Sequence, residues 1–125
     1  MSTRRDALTW LQKNRSITSG HIFTSKYYTA EHAWPKQDSW WFEIPLQRLE
    51  ENARADFHLL CQKTPDSTEF YHLKVPADYF LNHLDELTIQ KSGKLSLFPA
   101  ADALTRFKDL RGRGRVKFSS FLVKT

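Results

Sequence analysis

Residues 56–63 read Asp-Phe-His-Leu-Leu-Cys-Gln-Lys, and residues 69–75 read Glu-Phe-Tyr-His-Leu-Lys-Val. Aromatic and aliphatic side chains fill both runs, as strands require. Between them Thr64-Pro65-Asp66-Ser67 supplies turn chemistry: proline presets φ, and the Asp and Ser side chains bond back to their own backbone. The two runs therefore predict a β-hairpin, and the remaining elements are read outward from it. Upstream, Ser39–Leu46 (SWWFEIPL) alternates Trp40, Phe42 and Ile44 against Trp41 and Glu43. That period of two marks a strand. One of the adjacent indoles must then point opposite to the other, and Pro45 suits a strand end or a sheet edge. His21–Tyr28 (HIFTSKYY) is a further strand, and Gln47–Ala53 a short turn or helix. Thr29–Asp38, which contains Pro35, is a loop.

At the N-terminus Ser2 or Thr3 can cap a helix over Arg4–Asn14, with Ala7, Leu8 and Leu11 on one face and Trp10 at its edge. Gly20 closes the connection to the next strand. Downstream of the hairpin, Pro76 opens a helix reaching Leu87, with Tyr79, Phe80, Leu84 and Leu87 near one stripe. Leu87–Gln90 and Lys94–Phe98 form a second hairpin-like pair turning at Ser92-Gly93. Asp102 caps a helix through Leu110, with Leu104, Phe107 and Leu110 facing inward, and Val116–Val123 is a last strand. The expected architecture is α+β: a single compact domain over residues 1–125, with a mixed, mostly antiparallel sheet of about five strands and two or three helices. Its parts are an N-terminal helix at 4–14, a sheet core at 21–98 and a basic C-terminal region at 102–125.

Composition narrows the function. The chain has 125 residues, with nine Phe, four Tyr and four Trp, which is far too aromatic for a disordered protein. Its one Cys cannot close an internal disulfide, and no run approaches a membrane span. Residues 1–14 hold no apolar signal stretch, so a cytoplasmic location with no membrane partner is expected. The net charge of +5 is unevenly spread. Residues 1–30 carry five Lys/Arg against one acid, residues 31–90 five against eleven, and residues 91–125 nine against two. If the basic ends meet in space, they present a positive face to phosphate.

The sharpest local feature is Arg111-Gly112-Arg113-Gly114-Arg115. Glycine lets backbone approach a ligand closely, and arginine offers forked donors matched to phosphate oxygens. With Lys108 and Lys117 alongside, the segment suits a nucleic-acid backbone. Alternatively, it is a solvated loop in which Gly112 caps the preceding helix. Arg4, Arg5, Lys13 and Arg15 join it if the ends share a face. Tyr27, Tyr28, Trp34, Trp40 and Trp41 form an aromatic cluster, from which Tyr28 and Trp41 are the candidates for base stacking. Neither RNP motif of RNA-recognition sheets is present. The leading expectation is a small, basic, non-catalytic nucleic-acid-binding domain, DNA included, with no cofactor.

A second reading is catalytic. Glu43 lies on one strand, Asp56 opens the next, and Lys74 lies near the end of its hairpin partner. Over about residues 39–98 this layout resembles the PD-(D/E)XK nuclease family, which sets an acid on one strand and (D/E)-x-K on its partner. The resemblance implies Mg²⁺ held by carboxylates and a lysine near the scissile phosphate. It departs at His72, which stands where the family has an acid, and imidazole is a poor Mg²⁺ ligand. His58 and His72 face each other across the hairpin, but Cys61 is directed to the opposite face, so a zinc site is not expected. The five His show neither HxH nor HxxxH spacing, and no phosphate-binding Gly-rich loop or nucleophile elbow occurs. A third reading is a protein-interaction module that pairs its acidic middle and basic ends with a partner or a second copy.

Overall fold

A computed structural model describes residues 3–124. Helix α1 spans Thr3–Arg15 and buries Ala7, Trp10 and Leu11, one stripe at helical spacing. Asp6 in its first turn and Lys13 and Arg15 in its last complement the helix dipole. Thr3 is already helical, and Ser2 lies outside the described residues. The other main elements are β1 (His21–Ser25), β2 (Phe42–Pro45), α2 (Leu46–Glu51), β3 (Asp56–Gln62), β4 (Phe70–Pro76), α3 (Ala77–Leu81), β5 (Thr88–Ile89) and β6 (Lys94–Leu97).

The fold is α+β, and among the described residues six strands are divided between two three-stranded sheets of order β1-β3-β4 and β2-β6-β5. The β3–β4 hairpin pairs antiparallel from Asp56↔Pro76 to Gln62↔Phe70, and β1 joins β3 in parallel from His21↔Phe57 to Ser25↔Cys61. Alternation then sorts the first sheet into two faces. Ile22, Leu60 and Phe70 pack under α1 with Trp10 and Leu11. Phe57, Leu59, Cys61, Leu73 and Val75 face the main core, where Trp40, Phe42 and Ile44 of the other layer meet them. Both faces of the first sheet are therefore covered. Burial pushes the Cys61 thiol well above its ordinary value, which leaves it an inert core side chain. Pro45 closes β2 at a sheet edge opposite Lys94, where its missing N–H costs nothing.

Four expectations need correction. The helix after Pro76 stops at Leu81, and a separate 3-10 turn covers Leu84–Glu86. There is no helix at 102–110. Asp102 does cap a turn, since its carboxylate accepts the Leu104 N–H at 3.2 Å and the Thr105 hydroxyl at 2.7 Å. The chain then doubles back instead of coiling. Phe107 and Ala100 are joined by Phe107 N–H donating to Ala100 O, and Asp109 N–H donates to Val116 O at 2.9 Å. Phe107, at φ +70°, is drawn beneath Trp40, while Leu104 points outward at 95% exposure. Residues 116–123 form no full strand: Lys117 bridges Lys108, Leu122 bridges Leu73, and a 3-10 turn at Ser119–Phe121 lies between. With no helix ahead of it, Gly112 is not a helix cap.

Candidate nucleic-acid interface

The period of two in residues 40–44 settles the two adjacent indoles. Trp40 is fully buried, and Trp41 is 41% exposed. Ser25 ends β1 and holds Trp41 in place, its hydroxyl oxygen accepting the Trp41 N–H at 2.8 Å. Trp41 lies parallel to Phe98 at 6.2 Å, and Tyr28 meets Trp41 edge-on at 6.4 Å. Trp34, 59% exposed, stacks on the same Phe98 from the 29–38 loop at 5.4 Å. Arg111 lies 5.0 Å from the Trp34 ring centre and donates to the Ser96 hydroxyl at 2.9 Å.

These side chains enclose a cavity of about 290 Å³ lined by Tyr28, His32, Trp34, Ser39, Trp41 and Arg111. The buried Ser39 hydroxyl has no hydrogen-bond partner among the described residues. An adjoining hollow of about 420 Å³ shares Tyr28 and Trp41 and adds Arg4, Lys26 and Glu43. The Lys26 ammonium lies 5.0 Å from the Tyr28 ring, and burial raises the Tyr28 phenol above its usual value. Arg4 and Arg111 thus line two adjoining hollows that share Tyr28 and Trp41.

A buried carboxylate fixes Arg111. Asp109, 1% exposed, accepts the backbone N–H groups of Phe98 at 2.9 Å, Gly112 at 3.0 Å and Arg111 at 3.4 Å. At Gly112 an added Cβ would collide with the Glu86 carbonyl oxygen and lie 3.1 Å from the Asp109 carboxylate. Gly112→Ala is therefore expected to cost about 1–3 kcal/mol, read by urea unfolding, because backbone must move to admit the methyl group.

The other expected contacts lie elsewhere. Arg113 donates its backbone N–H to Glu86 O, and the largely exposed Arg115 pairs with the Glu86 carboxylate at 3.8 Å. Lys108 and Lys117 line a different hollow, beside Leu104 and Arg106. Of the seven residues expected to bind nucleic acid, the fold gathers Tyr28, Trp41 and Arg111. Trp34, His32, Ser39 and Lys26 complete the surroundings without having been singled out for it. A Trp-Pro pair in a polar loop was the available signal for Trp34, since a solvent-facing indole in such a segment needs a reason.

The residues of the nuclease reading fall on two sheets. Glu43 lies on the second sheet and accepts a hydrogen bond from Gln90 at 3.0 Å, whereas Asp56 pairs with Lys74 on the first at 3.7 Å. Among the described residues no group of three or more His, Cys, Asp or Glu side chains is placed to hold a metal ion. His58 and His72 do meet: His58 Nδ1 lies 2.8 Å from His72 Nε2, on the face away from Cys61. They form a hydrogen-bonded pair through one nitrogen of each ring.

Burial, then the charges at His58, Arg15 and Lys74, holds the His72 imidazole down at about 4. Burial likewise lowers His58. A neutral buried imidazole means that, between about pH 6.5 and 4, the unfolded chain takes up a proton that the folded chain refuses. Stability present above pH 6.5 is accordingly lost as pH falls, by about 2 kcal/mol from this group at pH 5. Urea unfolding at pH 7 and pH 5 tests this, with His72→Leu expected to lose less on acidification than the wild type.

Fold and surface together define a basic α+β domain that carries an open aromatic cavity. No family model, curated protein or solved structure matches the chain. No helix among the described residues is long and apolar enough to cross a membrane.

Proposed function

We propose that this domain binds single-stranded nucleic acid without cutting it. A base enters the Trp34–Trp41 cavity, and the flanking phosphates meet Arg111 on one side and Arg4 and Lys26 on the other. The observation that carries the reading is the cavity itself: the exposed indoles of Trp34 and Trp41 beside the Arg111 guanidinium. Every base has a π-face, and stacking on an aromatic side chain contributes about 1–3 kcal/mol per base. Arg111 at the wall disfavours a cationic guest and favours an anionic one. Glu43 in the adjoining hollow offers an acceptor to a sugar hydroxyl or an exocyclic amine. A duplex keeps its bases stacked inside and cannot present them to such a cavity.

Labelled single- and double-stranded oligonucleotides, titrated at low and moderate salt with Mg²⁺ present and run on a gel afterwards, test this. Tighter binding of the single strand is expected, with the DNA intact. Neutralising about three phosphates gives a shallow salt slope near −2 in log–log form. Cut DNA would revive the nuclease reading through Asp56 and Lys74. Failure to bind at low salt would leave the exposed Trp34 and Trp41 as a protein-docking patch, to be read by light scattering.

A further inference from the structure

Beneath α1, away from the aromatic cavity, three buried nitrogens lack partners among the described residues: Trp10 Nε1, Arg15 Nε and His72 Nδ1. Trp10 is 7% exposed and His72 2%. Buried polar nitrogens are ordinarily paired, and the indole and guanidinium N–H groups both ask for an acceptor here. All three residues line the same cavity of about 220 Å³, together with Lys63 and Lys124. Among the described residues its walls hold three cations, Arg15, Lys63 and Lys124, and no Asp or Glu.

We propose that this cavity is a binding site for a phosphate group, either inorganic phosphate or the terminal phosphate of a larger molecule. A tetrahedral oxyanion has oxygens enough to accept from the indole, the guanidinium and the imidazole at once, and the two lysines lie at its edge. Positioning is built in. The Arg15 guanidinium lies 4.9 Å from the Trp10 ring centre and donates from Nη2 to Val123 O at 3.4 Å, which leaves Nε for the ligand. The Val123 N–H in turn donates to His72 O at 2.8 Å, closing the C-terminal segment over the site. Because His72 Nε2 faces His58 Nδ1, an oxyanion on Nδ1 selects one arrangement of protons: His58 Nδ1–H donates to His72 Nε2, and His72 keeps its proton on Nδ1. The site is independent of the nucleic-acid reading.

Titration of the intact protein with inorganic phosphate, at constant ionic strength set with chloride, tests the proposal by NMR of the Trp10 indole N–H and the His72 ring. Saturable shifts of both are expected, with the His72 proton resident on Nδ1. Arg15→Gln is expected to weaken phosphate binding about tenfold. Since that change also disturbs the packing on Trp10, the exposed pair Lys63→Gln/Lys124→Gln provides a second reading, with affinity expected to fall severalfold and the fold intact. A 5′-phosphorylated oligonucleotide that shifts the same signals at lower concentration than inorganic phosphate, while its unphosphorylated counterpart does not, assigns the group to a chain end; equal potency assigns it to free phosphate. No saturable shift, an equal response to chloride, or unchanged affinity in both variants would overturn the proposal.

Discussion

Trp40→Ala is expected to lower the thermal unfolding midpoint steeply, with a loss of about 3–5 kcal/mol. That loss is a large share of the 5–15 kcal/mol that typically separates folded from unfolded states. Trp40 is fully buried where the two layers meet. Its ring stacks on Phe107 at 5.5 Å and meets Tyr71 and Tyr27 edge-on, so truncation strips three aromatic partners at once. Its Nε1–H donates to Gln62 O at 2.7 Å, a bond that ties the second layer to the end of β3. Trp40→Phe separates the two contributions, because it keeps most of the packing and deletes the hydrogen bond. It should cost less than the alanine change while leaving the Gln62 carbonyl unpaired. Thermal unfolding followed by near-ultraviolet circular dichroism measures both.

Asp109→Ala is the second large effect, and it links stability to the site. The Asp109 carboxylate is the acceptor for the N–H groups of Phe98, Arg111 and Gly112. Each buried donor left without a partner costs about 1–3 kcal/mol, so the change is expected to destabilise by several kcal/mol. The same bonds fix the turn from which Arg111 reaches Trp34 and Ser96. Oligonucleotide affinity should therefore fall even at temperatures where the variant remains folded. Asp109→Asn keeps one acceptor oxygen and is expected to lie between the two. Retained affinity in a folded Asp109→Ala protein would detach Arg111 from binding.

Local patterns were legible in the residues. The turn chemistry at 64–67 and the apolar runs beside it marked the β3–β4 hairpin, and the alternation at 39–46 set the two adjacent indoles on opposite sides without showing which is exposed. The α1 stripe of Ala7 and Leu11 was equally plain. The arrangement of strands was not, because the parallel partnership of β1 with β3 and the pairing of β2 with β6 join segments far apart in sequence. The C-terminal region misled for a physical reason. Leu104, Phe107 and Leu110 have helical spacing, and Asp102 caps as a helix would need. Cross-chain hydrogen bonds to Ala100 and Val116, and the burial of Phe107 under Trp40, outweighed that weak local preference. The Arg-Gly run read as one basic unit, yet its side chains separate: Arg111 turns to Trp34, and Arg115 to Glu86. The convergence of Tyr28, Trp34, Trp41 and Arg111 depends on three connections distant in the chain, so no spacing rule could have found it.

The most direct test compares single-stranded oligonucleotide binding by fluorescence anisotropy in the wild type and two double variants, Trp34→Ala/Trp41→Ala and Arg113→Ala/Arg115→Ala. If bases stack in the aromatic cavity, the tryptophan pair loses at least about tenfold in affinity. The arginine pair then stays within about threefold of the wild type, with its salt slope unchanged. The reverse order, with the arginine pair crippled and the tryptophan pair unaffected, would contradict the account and return the binding surface to the exposed Arg-Gly run.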